Sequence, residues 1–154
     1  MNNNLDTFLK DFTLSGDGTG FFDSYDKTED WIIEETEDYF LEYTVSLSLA
    51  VRAITEETPA LVKSIFDNKD HFNDLWKQFI ITNLLEEIKQ EWEDENLTPA
   101  QVNNELGAVD IAFGYYDTPY DIHVLFTPET INAEHCITLL CDKHGNPLKT
   151  YIGF

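Results

Sequence analysis

Four side chains in the last quarter of the chain have the chemistry of a metal site: His135, Cys136, Cys141 and His144. Imidazole and thiolate at short spacing are the donors zinc prefers. The pattern around them argues otherwise. Residues 136–141 read as a β-strand, in which side chains 136 and 141 point to opposite faces, roughly 16 Å apart along the strand. Such thiols share neither an ion nor a disulfide, whose Cα atoms sit within about 7 Å of each other. The expectation is two free, buried cysteines, no metal and no cofactor.

Asp121 and His123 share one face of a second strand, as a carboxylate orienting an imidazole would. No nucleophile completes them, since no serine stands in a Gly-x-Ser-x-Gly turn and no cysteine in a recognisable motif. Glu34-Glu35, Glu56-Glu57 and Glu86-Glu87 are paired carboxylates, but acid–base hydrolysis needs two facing one cleft, one of them buried. With thirty acidic residues in the chain, adjacency follows from number alone. The glycine-rich Ser15–Gly20 turn lacks the lysine of a phosphate-binding loop. Asp11, Asp17 and Asp23 lack the spacing and closing glutamate of a calcium loop. No residue is assigned a catalytic role.

Aromatics interleaved with acids are more informative. Phe21–Glu35 offers Asp23, Tyr25, Asp26, Asp30, Trp31 and Glu34. Tyr115–Asp121 offers Tyr116, Asp117 and Tyr120. Aromatic rings supply contact area at interfaces while carboxylates steer a basic partner, so these nine are the expected partner-binding residues. The charge of the whole chain agrees. Its 154 residues carry a formal −21, with −11 in residues 1–60 and −10 in residues 61–154, so the acidity is global. Such a field repels nucleic acid phosphates and anionic lipid heads and attracts basic surfaces. The expected partner is a basic protein, with no direct nucleic acid and no membrane contact. No uncharged apolar run approaches the ~20 residues of a membrane span. Met1–Leu14 does not resemble a secretory leader, and two cysteines make no disulfide scaffold. A cytoplasmic setting is expected.

Positioning these residues falls to elements that the hydrophobic period marks. Over Tyr39–Val51 every odd position is apolar or aromatic, and most even ones are small or polar, which is the two-residue rhythm of a strand with one buried face. Trp31-Ile32-Ile33 reads as its hairpin partner, joined through Glu37-Asp38. Leu9–Leu14 is a short strand or one helical turn. Thr58-Pro59 opens a first helix, with threonine as cap. Phe72, Leu75, Trp76, Phe79, Ile80, Leu84, Ile88 and Trp92 recur at helical steps over about Asp70–Asp94. Thr98-Pro99 opens a short helix ended by Gly107. Val109, Ile111 and Phe113, then Ile122, Val124 and Phe126, form the apolar rows of a hairpin. Cys136–Cys141 and Leu148–Ile152 are two further strands. Together they predict one α+β domain spanning 1–154, an antiparallel sheet packed against one long and one or two short helices. An unpaired edge strand would offer a route to a homodimer.

This element order, the acidic helix end at Glu91–Glu95 and the strand-Asp-Lys-His-Gly-Asn-strand ending at Asp142–Pro147 resemble a broad group of small acidic bacterial domains, some of which occur as immunity proteins beside toxin genes. The resemblance implies a non-enzymatic binding protein, an immunity-type inhibitor that occludes its partner, and brings no residue roles with it. Two alternatives fit the same acidity. One is a nucleic-acid mimic that blocks a DNA-binding protein, and the other is a small hydrolase or metal-dependent enzyme.

Overall fold

The alternating stretch forms the strand around which the sheet is built. A computed structural model describes residues 3–18, 23–35, 37, 40–131 and 133–153, with the backbone alone at 3, 33–35 and 40–42. In chain order it contains α1 (Asn3–Leu9), β1 (Thr13–Ser15), β2 (Ser24–Glu35), β3 (Phe40–Ala50), α2 (Thr58–Asp67), α3 (Lys69–Glu91) and α4 (Pro99–Glu105). Strands β4 (Leu106–Phe113), β5 (Ile122–Pro128), β6 (Ile137–Cys141) and β7 (Pro147–Ile152) follow. The expected strand or turn over Leu9–Leu14 is β1, preceded by a helix. Among the described residues the strands form one seven-stranded sheet in the order β1-β2-β3-β4-β5-β6-β7.

In β3, Val45, Leu47 and Leu49 are almost fully buried, while Thr44 and Ser46 are exposed. Removing each such aliphatic side chain from water stabilises by about 1.5–3 kcal/mol. The expected hairpin with β2 is present, antiparallel from Ser24↔Ala50 to Glu35↔Phe40. Thr36, Asp38 and Tyr39 of its connection lie outside the described residues.

The sheet is mixed rather than wholly antiparallel. β3 and β4 run parallel, with Ser46↔Asp110 through Leu49↔Phe113 in register. The cause is the helical segment between them. Parallel neighbours need a long crossover, and the 23 residues of α3 carry the chain back about 34 Å, further than an eight-residue strand needs. All other pairs are antiparallel.

α3 buries Phe72, Trp76, Ile80, Leu84 and Ile88 against the sheet. Steps of four advance about 40° beyond a full turn each, so the covered stripe winds around the helix. A second row, Asn73, Lys77 and Ile81, is buried as well. Its polar members are satisfied: Asn73 Oδ1 accepts from Trp31 Nε1 at 3.3 Å, and Lys77 Nζ donates to the Asn103 carbonyl at 3.0 Å. Trp31 stacks on Trp76 at 5.5 Å, Phe66 meets Trp31 edge-on, and Trp76 Nε1 donates to the Gly145 carbonyl at 2.8 Å. Strand β2, helices α2 and α3 and the β6–β7 turn are tied together there.

Three local expectations change. Thr58 is the first residue of α2 rather than its cap, and its Oγ1 accepts from Thr55 N. Gly107 lies inside β4, which begins where α4 ends. Val109 leaves the apolar row because the register shifts between Ala108 and Asp110, and this bulge turns Val109 outward to 41% exposure. Thr98, by contrast, caps α4 in a full capping box with Gln101. Among the described residues no helix is long and apolar enough to cross a membrane.

Candidate functional site

The helices all serve one face of the sheet. On the other, register places two rows side by side. One runs Asp26, Ser48, Ala112, His123, Leu140, Lys149 from β2 to β7. The next, two residues along each strand, runs Thr28, Ser46, Asp110, Leu125, Thr138, Tyr151. Neighbours in a row are about 4.8 Å apart.

The β4–β5 connection folds back over this face. Its neck closes where Gly114 N donates to the Asp121 carbonyl at 2.9 Å. Gly114 has φ +86°, and a Cβ there would lie 2.3 Å from that of Ala53, so glycine is required. Beyond it, the Tyr115 hydroxyl meets Ser48 Oγ at 2.6 Å. The Tyr116 ring stands edge-on to His123, centroids 5.2 Å apart, and its hydroxyl is hydrogen-bonded with Tyr151. Ser48, Asp110, Ala112, Tyr115, Tyr116 and His123 line an open hollow of about 580 Å³, with the methyl of Ala112 among its lining groups.

Two carboxylates serve this hollow in different states. Asp26 is engaged, accepting from Ser48 Oγ at 2.7 Å and from Ser24 Oγ at 3.0 Å. Asp110 receives no hydrogen bond from any described residue. Burial, and then the charge of Asp26, push its carboxyl above the usual aspartate range. Burial moves His123 the other way, favouring neutral imidazole. The site thus holds an under-neutralised acid, a neutral imidazole and two tyrosines fixed through their hydroxyls. It is not arranged for acyl transfer, because Ser48 sits two strands, about 10 Å, from His123 and bonds Asp26 and Tyr115 instead.

The nine expected partner-binding residues separate. Asp26 and Tyr116 belong to this face. Asp117 and Tyr120 lie in the same connection, where Tyr120 N donates to the Asp117 carbonyl. Asp30 is exposed on β2. Tyr25 faces the helices and packs on the core. Trp31 is a correction: at 1% exposure it is a core residue, continuing the face of β2 that Tyr25, Lys27 and Glu29 turn to the helices. Asp23 is likewise buried and accepts from Gly18 N. The Glu34 side chain lies outside the described residues, as do Phe21 and Phe22. Asp110, Tyr115 and His123 were not among the nine. Asp110 and His123 were legible as polar positions facing away from an apolar row, and Tyr115 as the first residue of the aromatic and acidic Tyr115–Asp121 stretch.

Asp121 and His123 do not form a pair. Asp121 precedes β5 and lines a separate hollow with Leu49, Phe113 and Lys143. Cys136 and Cys141 are free, and burial raises both thiols, leaving neither poised as a thiolate. His135 lies instead beside Glu91 and Glu134, at the end of α3, their ligating atoms within 4.8 Å of one another. No family model, no curated protein and no solved structure matches the chain.

Proposed function

We propose that the chain is a non-enzymatic acidic binding protein, which occludes a basic protein partner with the uncovered face of its sheet, as an immunity-type inhibitor of the small acidic bacterial kind would. The observation that supports this most directly is Asp110: a half-buried carboxylate with no donor, between two anchored tyrosines, in a chain of net charge −21. A cationic group arriving from outside is what this environment lacks. The described residues of this face offer three carboxylates, Asp26, Asp30 and Asp110, set apart by Thr28 and by Ser46 and Ser48 of β3 rather than aligned in one row, which favours a protein surface over mimicry of a phosphate row. The cytoplasm is the setting in which the free thiols stay reduced.

The test uses a short arginine-rich peptide and two charge-matched variants. Asp26→Asn/Asp110→Asn removes two charges from the face, and Asp74→Asn/Glu87→Gln removes two from the exposed side of α3. Wild type should bind with an affinity that falls at least about tenfold between low and physiological salt. The face variant should lose most of that affinity and the α3 variant little. Equal losses in both, or no salt-dependent binding at all, would overturn the proposal.

A further inference from the structure

The walls of the hollow select among cations. The geometry points to a socket for a single arginine side chain of the partner, its guanidinium seated between Tyr115 and Tyr116 with Asp110 as acceptor. This deepens the basic-partner reading and rests on it.

Three features favour guanidinium over ammonium. Asp110 presents two carboxylate oxygens with no donor among the described residues, matching the paired N–H groups of an arginine fork. Asp26 cannot take that role as readily, since each of its oxygens already accepts a seryl hydroxyl; it contributes charge from the neighbouring strand. The hollow is also bounded by rings. A planar, weakly hydrated guanidinium gains from lying against tyrosine faces, whereas an ammonium gives up more hydration for a poorer fit. Third, the walls are held before anything binds, Tyr115 by Ser48 and Tyr116 by Tyr151, so little side-chain freedom is left to lose. The small side chain of Ala112, between Ser48 and His123, leaves the depth into which the side chain reaches.

The titratable and charged groups around the socket fix its pH response. They are Asp26 from β2, Asp110 from β4, Tyr115 and Tyr116 from the loop, His123 from β5, and Lys149 and Tyr151 from β7. Lys149 Nζ lies 5.9 Å from the Tyr151 ring centre, at the β7 side of the face. Acidification from neutral protonates His123 and Asp110, so it adds a positive charge and removes a negative one. Both changes weaken cation binding.

The experiment is an NMR titration of the full chain with Nα-acetyl-arginine amide, Nα-acetyl-lysine amide and Nα-acetyl-citrulline amide, the last an uncharged near-isostere of the first. Arginine amide should give saturable shifts centred on residues 110–116 and 123. Lysine amide should bind at least about fivefold more weakly and citrulline amide not at all. Asp110→Asn, a near-isosteric change that preserves the fold, should weaken arginine amide by about tenfold or more, and Tyr116→Ala should do likewise. Equal affinity for lysine and arginine amides, shifts centred elsewhere, or indifference to Asp110→Asn would overturn the socket. If the arginine-rich peptide still binds through the face in that event, the basic-partner reading survives alone; if it does not bind, both fall.

Discussion

The two faces of the sheet treat polar groups differently. Under the helices, polar atoms at the core have partners: Trp31 Nε1 has Asn73, Trp76 Nε1 has the Gly145 carbonyl, and the Lys77 ammonium has the Asn103 carbonyl. Leaving any of them unpaired would cost about 1–3 kcal/mol. On the opposite face Asp26 is satisfied, yet Asp110, one strand beyond Ser48, is half buried with no donor among the described residues. The covered face therefore follows the rules of stability, and the uncovered one departs from them at one carboxylate. Such a departure is where a structure supports something other than its own folding.

The contrast breaks first if the covered face is not what holds the fold. Trp76 is fully buried, stacked on Trp31 and bonded to Gly145. Trp76→Ala should destabilise by about 3–5 kcal/mol, read from denaturant midpoints at unchanged slope. The nearby Gly145 has φ +87°, and a Cβ there would fall 2.5 Å from Ile65 Cδ1 and 2.6 Å from Phe72 Cε1. Gly145→Ala meets both a disfavoured backbone and packed side chains, and should cost about 2–4 kcal/mol by the same measurement. Neither variant reaches the uncovered face, so arginine-peptide affinity should be unchanged while the protein remains folded. A smaller effect belongs to the crossover. Thr98→Ala removes a cap that accepts from Gln101 N at 3.2 Å, and thermal unfolding should register about 1 kcal/mol.

What the sequence carried, and what it did not, divides along the same line. Val45, Leu47 and Leu49 announced the covered face because burial on one side enforces a period of two. The Trp76–Ile80–Leu84–Ile88 steps announced the helix above it. The parallel β3–β4 junction was implicit in the helices placed between those strands, but the alternation within a strand carries no direction, so pattern alone read it as antiparallel. Val109 was misplaced because one extra residue in β4 inverts the face that strict alternation assigns, and a bulge leaves no mark in composition. Trp31 misleads differently: acids flank it in sequence, yet it continues the Tyr25, Lys27, Glu29 face of β2 that turns to the core. The candidate site was half visible. Asp26 and Tyr116 stood out as aromatic and acidic interleaving, while Asp110 looked like an ordinary polar position. Its isolation depends on Ser24 and Ser48 serving Asp26, a relation across strands distant in the chain.

The finest test asks whether that isolation is energetically real. Burial and the neighbouring Asp26 raise the Asp110 pKa in the folded chain above its value in the unfolded one. Between those two values the folded state binds more protons, so this group makes stability fall as pH rises through the window, and the loss is complete above the folded pKa. At neutral pH the charged carboxylate therefore opposes folding. Asp110→Asn keeps the shape and removes the charge. It should raise stability at pH 7, by less than about 1 kcal/mol because the site is partly open to solvent. The gain should shrink as the pH is lowered through the raised pKa, where wild type neutralises the same group by protonation. The variant would then be slightly more stable and a worse receptor for arginine, opposite signs from a single atom exchange. A loss of stability at neutral pH would mean that Asp110 is satisfied in the free protein, and the two faces would no longer differ in kind.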